Sequence, residues 1–209
     1  MITGIIAFVL FIIVCMRLIK KRVFTKIHLF AGIALVVISA VHILLTFELL
    51  VSRPVAVWIT GAAALLFILA AFFTGIKKKR KMHRIFALCS LLLVIVHVAL
   101  NITSVVTYQN QVKSIVVTDI DLSNIPDGSY VGECDVIFIY AKVQVTVKSG
   151  EISDIIIIEH RNERGETAER VVGDIVSGRR IDVDAVSGAT NSSTVLKKAV
   201  ENALRDIVK

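Results

Sequence analysis

The stretch M-H-R-I-F-A-L-C-S-L-L-L-V-I-V-H-V-A-L-N, residues 82–101, is almost wholly apolar, yet it carries two histidines fourteen residues apart. It belongs to one of four apolar runs, at about residues 2–19, 27–51, 55–76 and 84–106. Each is long enough to cross a hydrocarbon core of roughly 30 Å, which takes ~20 helical residues. The hydrophobic fraction of 56% and mean hydropathy of +0.78 exceed those of an ordinary soluble domain. The first run has no basic segment before it and no A-x-A-like cleavage site after it, so it reads as a retained span rather than a signal peptide.

Charge divides the 209 residues in two. Residues 1–107 hold twelve Lys/Arg and one acid, Glu48, whereas residues 108–209 hold twelve Lys/Arg and sixteen acids. The formal charge of +7 therefore comes from the apolar half, where it signals topology and not a nucleic-acid surface. Two short loops, R-L-I-K-K-R-V-F-T-K after the first run and K-K-K-R-K-M-H-R after the third, carry eleven of the twelve basic residues. Such loops stay cytoplasmic. The N-terminus and the polar half are then expected outside the cytoplasm, with Trp58 and Tyr108 near the outer interface as belt aromatics. The three cysteines form no CxxC or paired framework.

Four of the five histidines lie in the apolar half: His28 and His42 on the second run, His83 and His97 on the fourth. Fourteen residues fall about 40° short of four helical turns, so each pair shares a face, ~21 Å apart along the axis. The two helices run in the same direction. His28 is expected level with His83 near the cytoplasmic side, and His42 level with His97 further out. Two stacked imidazole pairs suit two b haems, with Ala31, Gly32, Ala40, Ala87 and Ser90 giving room for the macrocycles. Another metal, a proton path, or interface roles for His28 and His83 fit the same residues. Glu48, Thr46 and Asn101 read as interfacial, and Met16 and Met82 have no matched partner. The spacing resembles the membrane core of di-haem cytochromes b and ferric reductases, which implies haem b and transmembrane electron transfer.

In the polar half, D-G-S-Y-V-G-E (127–133) reads as an opening turn and residues 136–147 as an alternating strand. K-S-G-E (148–151) reads as a hairpin turn and residues 152–160 as the returning strand. A helix is expected from about Glu166 to Ser177, and an amphipathic one from Ser192 to Val208. The fold class is thus a four-helix membrane bundle (1–106), a linker (107–119) and a small α+β domain (120–209). At the start of the last helix stands D-A-V-S-G-A-T-N-S-S, residues 184–193. It can be a helix cap made by Ser192 or Thr190, or a phosphate site at a helix N-terminus.

With D-G-S-Y-V-G-E and V-K-S-G-E-I-S-D-I, this motif resembles the FMN-binding domain family, which includes flavin subunits of the Na⁺-pumping quinone reductase and Rnf complexes. The resemblance covers about residues 120–206. It implies FMN joined as a phosphoester to Thr190 by an extracytoplasmic flavin transferase that recognises the segment from Asp184. The family's Thr-Ser beyond the motif is Ser192-Ser193 here. Ser187, Gly188, Ala189 and Asn191 are expected against the phosphate or ribityl chain, with Glu159, His160 and Tyr130 as candidate ring neighbours. No catalytic triad, paired-carboxylate site or metal cluster is visible in the polar half. The chain thus reads as an electron conduit in the lipid bilayer, from a quinol or cytoplasmic reductase through two haems to FMN and an extracytoplasmic acceptor. The alternatives are a haem-free, membrane-anchored flavoprotein subunit of a larger redox complex, and a metal transporter or redox sensor.

Overall fold

The computed structural model describes residues 2–16, 25–47, 53–162, 165–205 and 207. Most of the first basic loop, and Glu48, lie outside the described residues. The chain divides into two compact units, Met1–Ile102 and Thr103–Lys209.

The first unit is built from α1 (Ile2–Cys15), α2 (Thr25–Thr46), α3 (Val55–Ile76) and α4 (Arg80–Ser114). Helices α2, α3 and α4 are long and apolar enough to cross a membrane. Helix α1 has 14 residues, and a helix of that length rises about 21 Å, less than a hydrocarbon core. The apolar side chains face outward: Leu44, Phe30, Leu66 and Leu92 are each about two-thirds exposed or more. A small apolar cluster around Phe11, Leu35 and Ile68 is buried, and so are the smaller Ala31, Val57, Ala64, Ala71 and Ser90. A helix apolar on all sides with its large residues outward suits a lipid solvent, where no water expels those residues inward.

Helix α4 continues through Ser114, into the stretch read from sequence as a linker. Its last turns belong to the second unit, where Tyr108 and Val112 are buried in the core. Tyr108 is therefore not a belt aromatic: its ring packs on Phe138, centroids 4.9 Å apart.

The second unit has a three-stranded antiparallel sheet in the order β1 (Gly128–Val136), β2 (Ile139–Lys148), β3 (Glu151–Arg161). A 3-10 turn (Glu166–Arg170) leads into α5 (Val171–Gly178), and α6 (Thr190–Arg205) packs on β1 and β2. Strand β1 corrects the sequence reading, which took its first half as a turn and ran its end into β2. The two strands are separated by Ile137-Phe138, a turn made of two apolar residues and so indistinguishable from strand by pattern. The β2–β3 turn is as expected. Ser149 and Gly150 both have positive φ, 53° and 74°, the conformation that matches a tight hairpin to strand twist. Along β2, Ala141, Val143, Val145 and Val147 are wholly buried beneath α6 residues Val195, Leu196, Ala199 and Val200. Gly132 lets α6 come this close: a Cβ there would collide with the Ala199 carbonyl and the Ala203 backbone.

Candidate functional site

Two places gather the residues that the sequence singled out. The first is the loop entering α6. Asp119 Oδ1 accepts the Ile181 and Asp182 N–H groups at 2.6 and 2.9 Å. Lys197, almost buried on α6, donates to the Val183 carbonyl at 2.6 Å and to Asp182 Oδ1 at 2.9 Å. The chain is thus held on both sides of residue 182. It then turns at 186–189, where the Ala189 N–H bonds the Val186 carbonyl at 3.0 Å and Gly188 adopts φ +79°. Nothing lies within 4 Å of where a Cβ on Gly188 would sit, so glycine is needed there for its backbone angle and not for space.

The capping expectation is corrected. Neither Thr190 nor Ser192 caps the helix. Ser193, wholly buried, accepts the Val186 N–H at 3.1 Å and donates to the Ala189 carbonyl at 3.0 Å. Ser192 is buried against Gly165, where a Cβ would collide with its hydroxyl. Thr190 is thereby released from structural duty. It is exposed at the first position of a 16-residue helix, beside backbone N–H groups that have no helical partner and at the positive end of the dipole. Asp184, Ser187 and Gly188 are exposed on the same loop and Ala189 is buried. Asn191 donates to the Tyr108 hydroxyl at 2.9 Å, so its amide anchors the helix start to the end of α4.

The candidate ring neighbours separate. His160 pairs with Ala141 and lies on the buried face of the sheet, its side chain 1% exposed. Its Nδ1 bonds Glu169 at 3.0 Å, and its Nε2 has no partner among the described residues. Glu159 pairs with Lys142 on the opposite face, and the Tyr130 hydroxyl donates to the Pro126 carbonyl at 2.7 Å. Sequence reading missed Ser193, Lys197 and Asp119 as the residues that shape the loop. Lys197, a cation on the helix face that buries Leu204 and Val200, was the one available signal.

The second place is the helical unit. The His28 and His83 rings lie edge to face with centroids 5.9 Å apart. His28 Nδ1 meets the Val14 carbonyl at 3.2 Å, His83 Nδ1 the Ala71 carbonyl at 2.8 Å and His97 Nδ1 the Val57 carbonyl at 2.9 Å. A carbonyl only accepts, so Nδ1 carries the proton and Nε2 is left with a lone pair, which at His97 faces the Asn101 amide Nδ2 at 3.3 Å. His42 Nδ1 lies 3.1 Å from the Thr3 hydroxyl, and His42 and His97 are near enough to interact electrostatically. Glycines face three of the rings. A Cβ on Gly4, Gly61 or Gly75 would come within 3.1, 2.8 or 3.1 Å of His42, His97 or His83.

Of the small residues expected to give room, Gly32 has only Phe72 nearby, and Ala31 and Ser90 are buried. Thr46 and Asn101 are not merely interfacial. Each donates to the carbonyl of the histidine four residues before it, at 2.7 and 2.9 Å, and Asn101 Nδ2 also lies 3.3 Å from His97 Nε2. Among the described residues no group of three or more His, Cys, Asp or Glu is placed to hold a bare metal ion. What the unit offers is pairs of imidazoles.

Residues 140–205 match the family model described as FMN-binding domain. No curated protein matches the chain. The matched segment runs from the first residues of β2 to the end of α6 and contains the whole loop that precedes Thr190. The chain thus joins a segment similar to FMN-binding domains to apolar helices long enough for a membrane, and that similarity points to flavin-based redox chemistry.

Proposed function

We propose that this chain is a membrane electron carrier with FMN bonded to Thr190 and two b haems between α2 and α4. The observation that carries the flavin part is an exposed Thr190 hydroxyl at the start of α6, inside the matched FMN-binding segment, with the preceding loop tied by Ser193 to Val186 and Ala189. In the attachment step Thr190 Oγ1 attacks the phosphorus of an activated flavin phosphate, loses its proton and expels the donor's leaving group. The helix N-terminus and the free N–H groups beside it stabilise the resulting phosphodiester charge. A transferase that reads the segment from Asp184 meets an exposed loop of fixed shape. Once bound, FMN accepts and donates electrons, while the loop residues Ser187, Gly188, Ala189 and Asn191 hold its phosphate end.

The haem part is supported by the ring contact of His28 with His83, the backbone-bonded Nδ1 atoms of His28, His83 and His97, and the glycines that face three of the four rings. His28 with His83, and His42 with His97, would hold the two irons through Nε2. Haem supplies one-electron transfer across the bilayer; the chain supplies ligands, spacing and a dry surrounding. On this reading α1 belongs to a fourth span, both basic loops are cytoplasmic, and the flavin domain lies outside. Electrons enter from a quinol or a cytoplasmic reductase and leave to an extracytoplasmic acceptor.

The test is direct. In full-length protein co-expressed with a flavin transferase, a peptide containing Thr190 should carry the mass of FMN minus water. Thr190→Ala should lose all covalent flavin fluorescence and keep its haem bands; Thr190→Ser should retain flavin. Undiminished flavin in Thr190→Ala would sink the attachment site. A wild-type spectrum with flavin and no haem would favour the haem-free flavoprotein subunit instead.

A further inference from the structure

The two residues that open α6 are held differently. Thr190 is exposed. Asn191, half-buried beside it, donates one amide hydrogen to the Tyr108 hydroxyl at 2.9 Å. Tyr108 belongs to the last turns of α4, within the second unit, and is 9% exposed. Its ring packs on Phe138, and three residues further on Gln111 Oε1 accepts the Ile137 N–H at 3.3 Å. Ring and amide together pin the end of α4 to the β1–β2 turn. That packing asks only for an aromatic ring, which phenylalanine would supply. A tyrosine brings a hydroxyl into the interior, which destabilises the fold unless the hydroxyl is bonded. Here it meets Asn191.

An amide nitrogen carries two hydrogens. Among the described residues the Tyr108 hydroxyl alone bonds the Asn191 side chain, so the second N–H is left over. The main chain around it is also unclaimed. No carbonyl of the described residues accepts the N–H of Thr190, Asn191 or Ser192, and the first bonded N–H of α6 is that of Ser193, to the Ala189 carbonyl at 2.9 Å. Helical Cα–Cβ bonds tilt toward the N-terminus, so the side chains of Thr190 and Asn191 lean past the same end. The adjoining loop is open, with nothing within 4 Å of a Cβ built on Gly188. Unclaimed donors and open space at this end fit a phosphate.

We propose that Tyr108 is a positioning residue for the flavin phosphate: its hydroxyl holds the Asn191 amide so that the second N–H of that amide bonds a phosphate oxygen of FMN on Thr190. This rests on the flavin reading above. Without Tyr108 the amide turns about its two side-chain bonds, and the N–H is spread over several directions. Held, it adds a fixed donor to the helix end, and a donor facing a charged oxygen makes a stronger bond than one between neutral groups. The hydroxyl comes from α4, so the anchor of the flavin is set by a helix that precedes the matched segment.

The experiment is phosphorus NMR of the full-length protein, co-expressed with a flavin transferase and purified in a phosphate-free maltoside detergent. The resonance of the flavin phosphodiester reads its hydrogen bonding directly. Tyr108→Phe keeps the ring on Phe138 and removes only the hydroxyl. It should shift the resonance in the same direction as Asn191→Ala, and adding it to Asn191→Ala should shift the resonance no further. Melting temperatures should stay near wild type, because the Asn191 amide is half-buried and water can replace its lost partner. Loss of covalent flavin from Tyr108→Phe and Asn191→Ala alike, at unchanged melting temperature, supports the same role. A resonance unmoved in Asn191→Ala, or moved there and unmoved in Tyr108→Phe, at full flavin content, would overturn the proposal and leave Thr190 as the attachment point. A wild-type protein whose Thr190 peptide carries no flavin would remove the flavin reading and this proposal with it.

Discussion

The two units use glycine for opposite neighbours. In the flavin domain Gly132 clears the way for backbone: its missing Cβ would meet the Ala199 carbonyl and the Ala203 main chain of α6. In the helical unit Gly4, Gly61 and Gly75 each clear the way for an imidazole. The contrast follows from solvent. The domain folds by expelling water from Val143, Val145 and Val147 against Leu196 and Val200, all wholly buried, and gains by bringing sheet and helix as close as possible. The helices have their large apolar residues outside already, so lipid provides no such drive. Their interior is free to be specified by polar groups.

The sharpest way to break this comparison is to add a methyl at Gly132. Backbone cannot rotate away as a side chain can, so Gly132→Ala must push α6 off β1. We expect a loss of about 3 kcal/mol or more, the upper end for overpacking a core. The measurement is thermal unfolding of the domain within the full chain, followed by flavin fluorescence. A melting temperature within a degree or two of wild type would mean that the helix–sheet approach is softer than its geometry.

Gly132 also marks where the sequence was readable and where it was not. The β2–β3 hairpin declared itself through alternation and a Ser-Gly turn, and α6 through its apolar face. Strand β1 did not, because Gly132 serves α6 far along the sequence, and Ile137-Phe138 disguised a turn as strand. At the site, the four histidines stood out by residue type and spacing, and Thr190 by the resemblance of its motif to a family. Ser193 as the tie across the loop, and Asp119 and Lys197 as the clamps on residue 182, depend on contacts across the fold that no local pattern encodes.

The matched substitution in the other unit is Gly61→Ala. Its Cβ would lie 2.8 Å from His97 Cε1, so something must shift, and the ring can turn where main chain cannot. We expect about 1 kcal/mol or so of destabilisation, less than at Gly132. The local consequence is larger. A turned ring loses its bonds to the Val57 carbonyl and Thr60, now 2.9 and 3.3 Å, and, on the haem proposal, the absorbance band assigned to the His42/His97 layer should broaden or disappear. Equal destabilisation by the two alanines would erase the distinction between the units.

The smallest effect expected concerns Cys134 on β1, packed beside Lys198 of α6. Burial pushes its thiol up to about 11, with the Lys198 ammonium pulling down and the Asp135 carboxylate adding a small push upward. An ordinary thiol ionises near 8.5. The folded state therefore keeps its proton where the unfolded chain has begun to lose it. Below about pH 8 both states are protonated and the thiol makes no pH-dependent contribution. As pH rises from there toward 11 the unfolded state sheds its proton first, so stability falls through that window and levels off above it. Because the group is partly exposed, the slope should be shallow. Alkylation is the cleaner measure, since only the thiolate reacts. Labelling of Cys134 by iodoacetamide in the folded protein should stay slow at pH 8 and climb steeply between pH 9 and 11, while urea should make it fast at pH 8. Fast labelling of folded protein at pH 8 would show that the α6–β1 contact opens readily, and the tight helix–sheet approach at Gly132 would then have to be a contact made only part of the time.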